Sequence, residues 1–348
     1  MMFGILLSMF LVEIGAMDGT LLEYRGTSDA SAAVAVGDDH IVVADDENNV
    51  LRCYNVHGGM PVAHWDISTF LGVEGDHPEV DMEGATRVGD RIYWISSHGR
   101  NKDGELRPHR YRLFATHVSG QGAQTTLTPE GQVCCDLAQQ LARAPTLSAL
   151  HLTDSMQLDQ EKVPSLAPKD KGLNIEGLAA SADGQILYLG FRNPRPRKRA
   201  LVVPWENPRA VIDLGQAAVF GPPLLWDLDG WGVRGMEYVP AQKIFYVIAG
   251  PHKGKPGGRL YQWSGIRTES PHPVPTWTLP VPDFTPETVV AFSTRPDVLI
   301  ISDDGSRLVR VQDASECRPG AFDPGGWCEN KALLNPRRQS FRGIWWND

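Results

Sequence analysis

Four positions in the 348-residue chain set an ionisable side chain in nearly the same local frame: Glu83 before Gly84, Glu176 before Gly177, Arg234 before Gly235, and Glu287 before Thr288. Each leads into a short apolar stretch, a turn, and a second apolar stretch that ends in polar residues. Those exits hold further groups able to do chemistry: Asp45 and Asp46, His98 and Arg100, Arg192 and Asn193, His252, and Asp303 and Asp304. In an antiparallel hairpin the start of the first strand and the end of the second lie on one edge. All of these residues are therefore expected on one face of the molecule.

Carboxylates that converge repel one another, raise each other's pKa, or take a cation. Oxygen-only ligation favours a hard divalent ion such as Ca²⁺ or Mg²⁺, and a nearby His98 or His252 would admit Zn²⁺ or Mn²⁺. On this reading Glu83, Glu176 and Glu287 hold the ion, while His98, Arg234 and Arg192 are catalytic. Arg100, Asn193, His252, Asp46 and Asp304 contact substrate, with Arg100 helping Arg192 and Arg234 to hold a negative group and His98 moving a proton. The alternative makes the same side chains structural: the glutamates bond backbone amides, the glycines permit close approach of neighbouring sheets, and Asp45-Asp46 and Asp303-Asp304 are turn residues.

The elements that must position these groups are short strands. Residues 40–44, 91–95, 187–191, 244–249 and 298–302 are continuous apolar runs bounded by turn residues, as strands buried on both faces are. Each follows a first strand, and further strands are expected at 50–54, 62–67, 111–118, 200–205, 260–263 and 308–311. Residues 130–150 place Leu, Ala and Gln at three- and four-residue spacing, so a helical insertion is expected over about 121–170. Four short strands per module, recurring at about 50 residues once the insertion is discounted, describe the blades of a β-propeller. The expected fold is thus all-β, with five four-stranded blades and room for a sixth, in a single domain over residues 20–348. The strand at 20–25 and that at 340–346 should meet in the last blade and close the ring.

Composition bounds the partners. A formal net charge of −9 argues against a general nucleic-acid binder, which needs clustered Lys and Arg; the basic run at 192–199 reads as a solvated loop. The first seventeen residues are apolar, but no Lys or Arg precedes the run and Glu13 interrupts it, which makes a weak leader and no stable membrane insertion. Met17 offers a second start. The five cysteines form no paired metal motif, and a monomer in the cytoplasm is expected. A bridge between Cys317 and Cys328 would move that expectation to the periplasm.

The motifs Asp29-Ala-Ser-Ala-Ala, Val43-Ala-Asp-Asp-Glu, Met82-Glu-Gly-Ala with Ile92-Tyr-Trp-Ile-Ser-Ser-His-Gly-Arg, and Asn174-Ile-Glu-Gly-Leu-Ala with Gly190-Phe-Arg-Asn-Pro resemble those of a bacterial propeller family of unknown function. More distantly the chain is similar to phytase-like and esterase-like propellers, a resemblance that implies an acidic channel mouth holding calcium and the hydrolysis of phosphate esters. Two functions follow as expectations: metal-dependent hydrolysis of a small anionic ester or lactone, or a non-catalytic propeller that binds a small anionic ligand or a protein. No P-loop, nucleophile elbow or H-E-x-x-H motif supports other chemistry.

Overall fold

The computed structural model describes residues 20–251 and 257–347. Five four-stranded antiparallel sheets form the framework. The first sheet is Ala30–Ala35, His40–Asp45, Val50–Asn55 and Ala63–Asp66; the second is Met82–Val88, Arg91–Ser96, Leu113–Ser119 and Thr126–Cys134. The third is Asn174–Ala180, Leu187–Asn193, Ala200–Trp205 and Leu224–Trp226, and the fourth is Gly232–Val239, Ile244–Gly250, Arg259–Trp263 and His272–Pro273. The fifth joins Pro286–Val290 and Val298–Ser302 to Ser340–Trp346 and then to Leu22–Arg25.

The first strands of successive sheets neighbour one another around a closed circuit, the fifth returning to the first. This is the expected propeller with its expected closure. Every second strand is buried along nearly its whole length, because each sheet is covered by a neighbour on both faces; hence the runs of Val, Ile and Leu without alternation. Trp94, Trp205, Trp226 and Trp263 fill these interiors.

Two expectations about the elements fail. Residues 126–134 are not helical: they form the outer strand of the second sheet, pairing with Leu113–Ser119. Helix begins only at Leu137–Arg143, followed by short turns of helix up to Leu166. The three- and four-residue apolar spacing belongs to Leu137–Arg143, while the largely exposed residues 126–134 pair along the free edge of the third strand. Residues 308–310 do not complete the fifth sheet either, because Ser340–Trp346 takes the place beside Val298–Ser302. Leu308–Arg310 instead joins Phe322–Asp323 and Trp327–Glu329 in a small three-stranded sheet near the C-terminus. The leader-like residues 1–19, including Met17, and His252 lie outside the described residues. Among the described residues no helix is long and apolar enough to cross a membrane.

Candidate functional site

One irregularity recurs in all five sheets. The pairing of first and second strands slips between Ala30 and Ala32, Met82 and Gly84, Ile175 and Gly177, Val233 and Gly235, and Pro286 and Thr288. The residue left out of register is Ser31, Glu83, Glu176, Arg234 or Glu287. A β-bulge re-aims a side chain and ends regular pairing. Here it presents one side chain per blade at the same end of the innermost strands, and four of the five are ionisable.

The glycine that follows three of the bulged residues has a steric reason. A Cβ on Gly177 would lie 2.7 Å from Val233 Cγ1, and one on Gly235 would lie 2.0 Å from the Glu287 carbonyl oxygen. At these points the innermost strands of adjacent blades approach too closely for any side chain. The same end is knitted by backbone bonds between blades, from Ile175 N–H to the Ser97 carbonyl (2.9 Å) and from Asp304 N–H to the Ser28 carbonyl (3.0 Å).

Around this mouth the charges separate. On one side Glu176, 2 % exposed, accepts hydrogen bonds from Arg192 Nη1 and Asn174 Nδ2, each at 2.7 Å. Arg234 lies between two glutamates. Its Nε donates to Glu287 Oε2 at 2.7 Å and stands 3.1 Å from Glu176 Oε2, an ion pair without hydrogen-bond geometry, and its Nη2 pairs closely with Glu287 Oε1. Burial and the like charge of Arg192 hold Arg234 below its usual pKa. Burial also opposes the charge on Arg192, but Glu176 more than offsets it and the group is raised. Lys169 joins this side: the Asn193 amide donates to the Pro168 carbonyl at 2.7 Å, and burial, Arg192 and Arg234 lower the Lys169 pKa.

The other side is acidic. Carboxylate oxygens of Asp46, Asp81 and Glu83 lie within 4.8 Å of one another, as do those of Asp29, Asp46 and Glu47. Asp81 is partnered by Arg110 at 3.0 Å, and Glu47 by Lys331 at 2.8 Å. Glu83 has no hydrogen-bond or ion-pair partner among the described residues, and Asp46 Oδ1 is buried without a hydrogen bond. Burial, then Glu176 and Asp81, push Glu83 well above the ordinary carboxylate range. Burial, then Asp29, Glu83, Asp303 and Asp81, do the same to Asp46. Asp29 is raised to about 8, by burial first and then by Asp303 and Asp45. Gly305 makes room for it, since a Cβ there would overlap the Asp29 carboxylate.

The expected roles change accordingly. Glu176 and Glu287 are neutralised by guanidinium groups, so the three glutamates do not form one ligand set with Glu83; the carboxylates gathered around Glu83 are Asp46 and Asp81. His98 is fully buried, with Nδ1 2.9 Å from the Ser96 carbonyl and its ring edge against Tyr111. Burial lowers its pKa to about 4, and its ring makes no contact with a mouth carboxylate among the described residues, though its backbone N–H donates to the Arg110 carbonyl at 3.0 Å. Arg100 donates to the carbonyls of Gly104 (3.0 Å), Gln157 (2.6 Å) and Gln160 (2.8 Å), with longer bonds to those of Met156 and Glu161. It organises the inserted loop and has no donor left for a substrate. Asp304, 1 % exposed, takes two 2.7 Å bonds from Arg342, and Asn193 is used by Pro168 and Arg195. Of the expected substrate contacts among the described residues, only Asp46 stands at the mouth with an unmet oxygen.

Asp29, Asp81 and Lys169 escape a reading of the sequence because each lies just before a strand, in turn composition that says nothing of direction. Their signal is positional: Asp29 and Asp81 both precede their bulged residue by two. A cavity of about 810 Å³ lies apart, lined among others by Gln132, Cys135, Arg143, Val211 and Phe220. None of the mouth carboxylates lines it.

Among solved structures, the chain is similar to glutaminyl cyclase of Myxococcus xanthus (10 % identity, 81 % of this chain and 88 % of that one, TM-score 0.43). It is also similar to the PQQ-bound aldose sugar dehydrogenase of Streptomyces coelicolor (11 %, 95 % and 100 %, 0.39) and to virginiamycin B lyase of Staphylococcus aureus (8 %, 94 % and 99 %, 0.39). No curated protein matches the chain. A family model described as protein of unknown function DUF3616 matches residues 29–281, most of the propeller and all but the last of its bulged residues, and the chain belongs to that family.

Proposed function

We propose that the channel mouth binds a divalent cation and uses it in the hydrolysis of a small anionic ester or lactone. The observation that carries this reading is the convergence of Asp46, Asp81 and Glu83 within 4.8 Å, with a buried Asp46 oxygen that no described group satisfies. Three carboxylates at that separation cannot all ionise without a compensating charge, and Arg110 serves only Asp81 among them. The donors are all oxygen, which suits Ca²⁺ or Mg²⁺. When bound, such an ion supplies polarisation of an ester oxygen and an acidified water.

The chain's own groups do the positioning. Glu176 and Glu287 fix Arg192 and Arg234 as a wall of guanidinium groups whose charge they balance, and Lys169 is the cation beside it without a carboxylate partner at hydrogen-bond distance among the described residues. A substrate's negative group faces that wall while its reacting carbonyl or phosphoryl turns towards Asp46 and Glu83. The test is metal content of the native protein and thermal shift with Ca²⁺, Mg²⁺, Mn²⁺ and Zn²⁺, followed by an ester, lactone and phosphoester panel. Glu83→Gln should abolish both the shift and any turnover. Absence of metal and of any shift would overturn the reading.

A non-catalytic binding propeller is the second reading, and one observation favours it: His98, the described histidine expected to act as base, is buried against backbone and Tyr111. It predicts that metal and chelator leave stability unchanged, with no turnover on any member of the panel.

A further inference from the structure

The small sheet near the C-terminus is poorly supported by its own packing. Its buried side chains are Val311, Cys317, Cys328, Ala332 and Leu333, with Val309, Ala321 and Phe322 partly covered. So few and such small groups bury little apolar area, and the loop between the two cysteines, residues 318–327, is rich in Gly and Pro. Units with cores of this size usually need a covalent or metal staple. Both cysteines are already placed for one. Cys328 lies in the central strand, opposite Val309 and Phe322, while Cys317 bridges to Leu333. The two side chains share that one small buried cluster, both as free thiols.

We propose that Cys317 and Cys328 form an intrachain disulfide when the protein matures in an oxidising environment. Two S–H bonds break and one S–S bond forms. Two electrons and two protons pass to the oxidant, a small-molecule disulfide or a disulfide-bearing oxidoreductase, which leaves as two thiols. The remaining cysteines are unsuited as partners: Cys53 and Cys134 belong to different core clusters, and Cys135 is exposed beside Cys134.

The exchange should be slow in the folded protein. Both sulfurs are almost fully buried, and burial together with Cys317 raises the Cys328 thiol to about 12, so little thiolate is present to attack. The bond therefore acts as a folding staple rather than a fast sensor. What it steadies reaches the mouth, since Asn330 donates to the Asp304 carbonyl at 3.1 Å and Lys331 N–H to the Gly305 carbonyl at 3.0 Å.

The full-length protein, refolded with oxidised glutathione, would be denatured, alkylated and digested with trypsin. Because Arg318 precedes Pro319, residues 311–331 should stay in one peptide. The expected product is that peptide unalkylated and lighter by two hydrogens, becoming doubly alkylated after reduction. Double alkylation without reduction, or a bond from either cysteine to Cys53, Cys134 or Cys135, overturns the proposal. As a second measurement, dithiothreitol should lower the melting temperature of the oxidised protein by a few degrees or more, and a melt unchanged by reduction would also count against it. The Cys317→Ser, Cys328→Ser pair should abolish that sensitivity; if it fails to fold, the peptide map still decides.

Discussion

Among the described residues, Arg234 is a single side chain that answers two buried carboxylates, Glu176 and Glu287. Removing one partner of a buried ion pair costs far more than the pair contributes, because the remaining charge is stranded. Arg234→Met is thus expected to destabilise the protein by about 3–5 kcal/mol in denaturant unfolding, and the additional change Glu287→Leu should recover part of the loss. Loss of less than a tenth of that stability would mean that Glu176 is already satisfied by Arg192 and Asn174.

Asp29 gives the residue scale its pH dependence. Its folded pKa is raised to about 8 against about 3.9 in an unfolded chain, so the folded state binds the extra proton between these values. Its contribution is fully present below about pH 4 and is lost as pH rises through about 8. Melting temperature should fall over that window, and Asp29→Asn should flatten the fall. If a cation binds nearby, adding Ca²⁺ should oppose the loss most strongly at the alkaline end. A variant with an unchanged slope would remove Asp29 from this account.

At the scale of the element, the bulge is the device that makes a mouth out of a strand. It turns Glu83, Glu176, Arg234 and Glu287 to a common end, and the glycine after the first three of them brings the next blade within contact. Gly235→Ala places a methyl 2.0 Å from the Glu287 carbonyl oxygen, a backbone atom that cannot rotate away. A cost of about 1–3 kcal/mol or more is expected from overpacking, with cation binding at Asp46, Asp81 and Glu83 little changed, because those carboxylates stand on the first and second blades. Unfolding and calorimetric titration would measure the two effects.

The same element shows why only part of the site was legible. The apolar runs, turns and Glu-Gly pairs are local, so the hairpins, their common edge and the ring could be read from them. Pairing partners are not local. The carbonyls of Gln157 and Gln160 that claim Arg100 lie nearly sixty residues away, and Arg342, which claims Asp304, lies in a strand that closes the ring. Nor does spacing distinguish a carboxylate that meets a guanidinium, such as Glu176, from one that meets other carboxylates, such as Glu83. The outer strand Thr126–Cys134 was hidden for a related reason: the helical spacing of the residues that follow overlaps its end, and the edge it pairs with is not local.

At the scale of the whole molecule, ring closure depends on the two ends of the described chain. Leu22–Arg25 adds to Ser340–Trp346 with Tyr24 opposite Phe341. Their rings stack at a centroid distance of 4.7 Å, Tyr54 packs edge-on against both, and Tyr24 Oη donates to the Val56 carbonyl at 2.8 Å. This cluster joins the fifth blade to the first, the blade that supplies Asp29, Asp46 and Glu47 to the mouth. Tyr24→Ala removes a fully buried aromatic and leaves the Val56 carbonyl unmet, a loss of about 3–5 kcal/mol. Because each blade is held by its neighbours, opening one junction should also loosen the acidic half of the mouth, while the ion pairs of Arg192 and Arg234 lie in the third, fourth and fifth blades. Hydrogen exchange on Tyr24→Ala should therefore show faster exchange in residues 20–66 than in residues 174–250. Uniform acceleration across all five blades would instead mean that the ring opens only as a whole, with no local weakness at its seam.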